Sequence, residues 1–229
     1  MKTIGLIGGM SWESSLEYYR VINETVKEVL GGFHSAKCIL YSVDFHEVEM
    51  LQARGEWERS GEMMAQAAAA LEQAGADFIV LCTNTMHKVV RQIAEAVQIP
   101  VLHIADVTAG ALRNAGVNTV ALLGTRFTME QEFYRGRLES HGLRVVIPDQ
   151  ADRQLVHDVI YGELCLGKIK AESKRQYLQI IERLQRQGAE AVILGCTEIG
   201  LLVKQGDAPI QLFDTCYLHA RQAALQAME

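Results

Sequence analysis

Proline is scarce in this 229-residue chain, with only Pro100, Pro148 and Pro209. None interrupts a stretch with helical periodicity, so no helix has to end or kink on proline. Long apolar runs are also missing. None approaches the roughly 18 residues of a membrane-spanning helix, and no membrane partner is expected. The opening MKTIGLIGGMSW has only a short apolar run, followed by Trp12 and Glu13. It lacks a small-residue cleavage site and reads as a first strand, not a signal peptide. There is no basic excess: 22 Lys and Arg stand against 28 Asp and Glu, a net charge of −6. That argues against a nucleic-acid partner, which calls for a basic footprint. A small anionic substrate stays open, because one pocket can be positive on an acidic protein.

Cysteine is present but without a framework. The five residues, Cys38, Cys82, Cys165, Cys196 and Cys216, are odd in number, and no two have metal-ligand spacing. Nor do the seven histidines cluster with acids or thiols, so no metal site is expected. A chain of this length with 49% apolar residues can bury a core without disulfides. Reduced cysteines in a cytoplasmic protein are the expectation. The GLIGG run fails the G-x-G-x-x-G spacing, so a nicotinamide cofactor is not expected either.

What is there is a duplication. KTIGLIGGMSWESSLEYYR at 2–20 resembles NTVALLGTRFTMEQEFYR at 118–135, each a short apolar strand ending in Gly before an aromatic-bearing helix. FIVLCTNTMH at 78–87 resembles AVILGCTEIG at 191–200, with Leu81 over Leu194 and Thr83 over Cys196. PVLHIAD at 100–106 matches PIQLFD at 209–214, each ending near an aspartate that precedes a helix. Three landmarks in one order make this a duplicated domain.

Each copy alternates strand and helix. Strands are expected near 3–8, 37–43, 77–82 and 100–104, then near 118–123, 143–147, 190–194 and 209–213. The helix after the first strand carries Trp12, Leu16, Tyr19, Ile22, Val26 and Val29 at helical spacing. Ser11 can cap its start and Gly31-Gly32 can close it. Continuous apolar strands such as FIVL and AVIL suit parallel sheets covered on both faces. The fold class is therefore α/β: two pseudo-symmetric Rossmann-like domains with parallel sheets. No linker divides them. The expected boundaries are 1–104 plus 214–229 for the first domain and 105–213 for the second.

Ligands in such sheets bind beyond the carboxyl ends of strands. Gly8-Gly9-Met10, Thr83-Asn84-Thr85, Gly124-Thr125-Arg126 and Cys196-Thr197-Glu198 all fall there. Two facing copies would put the Thr83 and Cys196 strands on opposite walls of an active-site cleft. Inversion at a carbon acid uses two such walls, since a proton leaves one face and another arrives on the other. A thiol suits the task, with a free pKa of about 8.5 that can be tuned toward neutrality. Cys196 is expected where a strand gives way to a helix, whose backbone N–H groups would favour thiolate. A buried structural thiol is the competing reading.

The chain resembles the cofactor-independent aspartate/glutamate racemase family. The resemblance rests on Gly8-Gly9-Met10, on Thr83-Asn84-Thr85 at the family's C-N-T position, and on Gly195-Cys196-Thr197-Glu198 at its G-C-T-E position. FDTCYLHA at 213–220 matches the family's closing pattern. It implies pyridoxal-independent racemisation of L-aspartate or L-glutamate, with no cofactor, a site between two α/β domains, and a homodimer. The family usually carries a cysteine on each side. Here Cys196 matches one and Thr83 replaces the other, as in its threonine-bearing members. Cys82 does not substitute, because alternation along a strand turns it to the opposite face.

The resemblance also suggests a binding set. Met10 lies at the first strand end. Gln52 stands where relatives anchor the substrate's side-chain carboxylate, and an amide there admits neutral side chains such as that of homoserine. Asn84, Thr85, Thr125 and Thr197 can hold the α-carboxylate. Glu198 can meet the ammonium or orient a neighbour, and Lys168 matches a substrate-binding loop lysine. Arg54, His87, His103 and His219 read better as solvated or core residues. Two alternatives come with this reading. One is a single-thiol decarboxylase or isomerase of the same superfamily; the other is a non-catalytic binder of an acidic metabolite.

Overall fold

The computed structural model describes residues 1–229. The chain divides into two compact units, residues 1–104 with 219–229, and residues 105–218. In chain order the first unit holds β1 (Ile4–Gly8), α1 (Trp12–Leu30), β2 (Cys38–Ser42), α2 (Phe45–Arg54) and α3 (Trp57–Gln73). It continues with β3 (Phe78–Leu81), a 3₁₀ turn over Thr85–Val89, α4 (Val90–Ala96) and β4 (Val101–Leu102). Next come α5 (Ile104–Asn114), β5 (Thr119–Gly124), α6 (Arg126–Glu130), α7 (Glu132–Ser140), β6 (Arg144–Val146) and α8 (Gln150–Gly162). A 3₁₀ turn over Leu164–Leu166, α9 (Ala171–Arg186), β7 (Ala191–Gly195), α10 (Ile199–Leu202), β8 (Gln211–Asp214) and α11 (Thr215–Met228) complete the chain.

Both sheets are parallel, and their orders are the same: β2-β1-β3-β4 and β6-β5-β7-β8. β1, β3 and β7 are buried along their whole lengths, as apolar central strands covered on both faces should be. The edge strand β2 is half-open to solvent. No helix is long and apolar enough to cross a membrane.

Strand register tests the duplication residue by residue. Ile7, one position before Gly8, pairs with Leu81. Leu123, one position before Gly124, pairs with Leu194. Leu81 and Leu194 are thus equivalent, and so are the residues two positions on, Thr83 and Cys196. The third landmark shifts. Leu102 pairs with Val80 and Asp214 with Leu194, which makes His103 the counterpart of Asp214. Asp106 lies instead in the first turn of α5 and holds Arg137 through two hydrogen bonds of 2.6 and 2.7 Å. β4 is also shorter than expected, because α5 starts at Ile104.

Helix α1 keeps its expected caps: Ser11 accepts from the Ser14 N–H, and Gly31 closes the helix at φ 71°. Its periodic apolar residues divide between core and surface. Tyr18, Val21, Ile22 and Val26 are buried, while Trp12, Leu16 and Tyr19 are 65, 59 and 52% exposed. Periodicity found the helix; it did not say which of two apolar stripes faces the sheet.

The loop leaving β1 depends on glycine for two reasons. Gly9 has φ +92°, and a Cβ there would stand 2.2 Å from the Val43 carbonyl oxygen. A Cβ on Gly8 would meet Ser15 Oγ at 2.5 Å, and that hydroxyl accepts the Gly9 N–H at 2.8 Å. α1 therefore packs tightly onto the strand end and keeps Met10 buried among core side chains.

Candidate active site

In the first unit the polar turn follows β3. Cys82 continues the sheet, its N–H donating to the Ile7 carbonyl at 2.9 Å. Its side chain is fully buried, and burial pushes the thiol well up. The next residue turns sharply: the Thr83 N–H donates to the Leu81 carbonyl at 2.8 Å. Thr83, Asn84 and Thr85 are all buried. Met10 is buried at the end of the neighbouring strand's loop. Gln52 is buried on α2, its amide nitrogen 3.1 Å from Met86 Sδ. Arg54 belongs elsewhere. It is exposed, 3.9 Å from Glu56, and opens onto a groove of about 310 Å³ that it shares with Arg59, Met50 and Met63.

In the second unit the site centres on one carboxylate oxygen. Cys196 Sγ donates to Glu198 Oε2 at 2.9 Å, and Thr197 Oγ1 donates to the same oxygen at 2.8 Å. Cys196 and Glu198 are both buried. Burial, then the Glu198 charge, pushes the Cys196 thiol well above its ordinary range, and Cys165 adds to the rise. A backbone N–H of Glu198 at the sulfur works in the opposite direction and is the smallest influence. Burial and the carboxylate thus oppose the thiolate that backbone N–H groups at a helix start would favour. α10 is only four residues long and starts at Ile199, after Thr197 and Glu198. The expected first turn is a strand-end loop, and the group that addresses the thiol is a carboxylate positioned as its proton acceptor.

Thr125 joins this turn through the sheet. Gly124 and Gly195 are register partners, so Thr125 and Cys196 are the first residues beyond adjacent strand ends. A Cβ on Gly195 would come within 2.9 Å of the Leu123 carbonyl oxygen, so only glycine permits this approach. Thr125 caps α6, accepting from the Thr128 N–H at 3.3 Å. Lys168 follows the 3₁₀ turn over Leu164–Leu166. It is exposed beyond Gly167, and its backbone N–H donates to the Glu163 carbonyl at 2.9 Å.

The structure therefore assembles two buried polar turns, one per unit. Met10, Gln52, Thr83, Asn84 and Thr85 belong to the first unit, and Thr125, Cys196, Thr197 and Glu198 to the second. Sequence reasoning did not assign the bond from Cys196 to Glu198. The Cys-x-Glu spacing beyond a strand is a signal for it, because a tight turn brings residues two apart together.

The fold is α/β, with the same parallel 2-1-3-4 order in both sheets and a thiol hydrogen-bonded to a carboxylate beyond the end of β7. The Asp/Glu/hydantoin racemase family model matches residues 7–223, and the chain belongs to that family. Its aspartate and glutamate racemases are isomerases. A candidate Asp/Glu racemase from Yersinia pestis is 54% identical, with full coverage of both chains and a TM-score of 0.93. An aspartate racemase homologue from Pyrococcus horikoshii OT3 is 37% identical over the full length of both chains, with a TM-score of 0.87. The broad specificity amino-acid racemase RacX of Bacillus subtilis is 28% identical over 153 residues, which span 65% of this chain and 63% of that protein.

Proposed function

We propose that this chain inverts the α-carbon of L-aspartate or L-glutamate without pyridoxal phosphate. The observation that carries the reading is the Cys196–Glu198 hydrogen bond of 2.9 Å. A raised thiol needs a base, and Glu198 is in reach to take its proton. The thiolate then removes the α-proton of the L-substrate, and the electron pair of that C–H bond delocalises into the α-carboxylate. The Thr83 hydroxyl delivers a proton to the opposite face and is re-protonated by water; the thiol keeps the α-proton, and Glu198 gives its proton to the hydroxide left behind, which restores the starting state. The protein's net charge is unchanged by the first transfer, which keeps a second charge out of a buried site.

Asn84, Thr85, Thr125 and Thr197 supply hydroxyl and amide donors for the α-carboxylate. Gln52 meets the substrate's side-chain end, and Met10 provides an apolar wall. Lys168, exposed beyond Gly167, is a further contact for the substrate's carboxylates. The five cysteines are free thiols, which suits a reducing cytoplasm. We also propose a homodimer. The support is the exposed stripe of Trp12, Leu16 and Tyr19 on α1, three large apolar side chains on one helical face.

Cys196→Ala tests the reading. The account expects loss of α-proton exchange from L-aspartate and L-glutamate in the folded variant. Retained exchange would remove Cys196 from the mechanism.

A further inference from the structure

Beneath the Thr83 turn lies a group of three histidines. His87, His103 and His219 are all buried. The His87 ring centroid is 4.6 Å from that of His103 and 5.9 Å from that of His219. The bonding pattern assigns the protons. The Ile104 N–H donates to His87 Nε2 at 3.2 Å, so that nitrogen is bare and Nδ1 carries the hydrogen. Nδ1 lies 2.8 Å from the Thr83 carbonyl oxygen and donates to it. His219 has the opposite tautomer. Its Nε2 faces the Leu102 carbonyl at 3.0 Å and donates, leaving Nδ1 to accept from the Tyr18 hydroxyl at 2.7 Å.

His87 thus ties the turn after β3 to the residue that opens α5. Thr83 is held at both ends of its backbone, by its own N–H on Leu81 and by its carbonyl on His87. The His87 N–H in turn donates to the Asn84 carbonyl at 3.1 Å, closing the loop on itself. An alcohol is a weak proton donor. Its usefulness depends on orientation more than that of a thiol does, because small misplacements of a reacting group are costly.

We infer that His87 is a positioning residue for the Thr83 hydroxyl, fixing the turn that delivers the proton on the face opposite Cys196. The inference rests on the racemase reading and deepens it. It also implies a division of labour. Loss of His87 should damage inversion, which uses Thr83, far more than exchange, which needs only Cys196. In the absence of an aligned hydroxyl, the carbanion is reprotonated by Cys196 on the face it left. Once the thiol has exchanged the abstracted proton with solvent through Glu198, the substrate acquires deuterium without changing hand.

The test follows L-glutamate and L-aspartate in D₂O with the full chain, measuring α-proton loss and D-isomer formation together. For His87→Phe the ratio of D-isomer to exchanged substrate should fall by at least about tenfold, with exchange itself reduced by no more than about threefold. His87→Asn keeps a donor near the Nδ1 position and should move the ratio back toward that of the unmodified chain. A general loss of structure lowers both readouts together and cannot produce this split. If His87→Phe does not fold, His87→Asn is compared with His87→Gln, whose donor sits nearer Nε2, and the ratio should be higher for Asn. Equal ratios in that comparison, or parallel losses in His87→Phe, overturn the inference and leave the racemase reading intact. An unmodified chain that shows no exchange overturns the racemase reading, and the inference falls with it.

Discussion

Cys196 and Glu198 share one hydrogen bond of 2.9 Å, with the thiol donating to the carboxylate. Two consequences of that bond point in opposite directions. The carboxylate's charge opposes ionisation of the thiol, yet in the proposed reaction the same carboxylate is the acceptor of its proton. Glu198→Gln separates them. The thiol should ionise at lower pH in the variant, because a negative neighbour has gone. α-Proton exchange should nevertheless fall, by about 10²-fold or more, because the base has gone. Peptide-resolved alkylation of Cys196 against pH, paired with exchange rates, checks both. An alkylation midpoint that rises in the variant would contradict the assignment.

Thr83→Cys should speed the D-to-L direction. The register equivalence of Leu81 and Leu194 puts Thr83 where its repeat counterpart has Cys196. A thiol there supplies a base that an alcohol cannot. The measurement is the ratio of D-to-L and L-to-D rates by chiral chromatography. A drop in both directions would make Thr83 a binding residue only.

How much of this was legible beforehand depends on the range of the interaction. The eight strands, their parallel sense and the pairing of Thr83 with Cys196 came from apolar runs and repeat spacing, which are local signals. The Asp106–Asp214 match failed because both follow a strand that begins after proline; only register shows that His103 holds the equivalent place. Helical spacing of Trp12, Leu16, Tyr19, Ile22, Val26 and Val29 located α1, but only Ile22 and Val26 of these are buried, beside Tyr18 and Val21, because spacing alone does not say which face meets the sheet. The Cys196 helix was overestimated because CTEIGLLV has the composition of a helix, while only Ile199–Leu202 forms one. The bonds of His87 to Thr83 and Ile104 depend on a ring rotamer and on the meeting of two strand ends. Composition carries neither.

His219 should make the fold acid-sensitive. Burial lowers its pKa to about 3, with the nearby His103 adding to the fall, although the bond to Leu102 raises it. The ordinary value of the unfolded chain is about 6.5. The unfolded state therefore binds a proton that the folded state refuses between those values. Stability from this group is complete above about pH 6.5 and declines as pH falls toward 3, by up to about 1.4 kcal/mol per pH unit. Urea unfolding from pH 7 to 4 should show that slope, and His219→Gln should flatten it. An unchanged slope in the variant would mean other groups set the acid limb.

The α1 stripe makes a prediction about assembly. Trp12→Glu with Leu16→Glu places two charges on the exposed apolar face. Light scattering should report a dimer for the unmodified chain and a monomer for the variant, with far-UV circular dichroism retained. A dimer that survives both substitutions uses another surface.

The most direct measurement is proton NMR of L-aspartate and L-glutamate in D₂O with the purified chain, followed by chiral separation of the products. The account predicts loss of the α-proton signal together with appearance of the D-isomer. Substrates that keep both their α-proton and their hand would contradict it, whatever the geometry around Cys196.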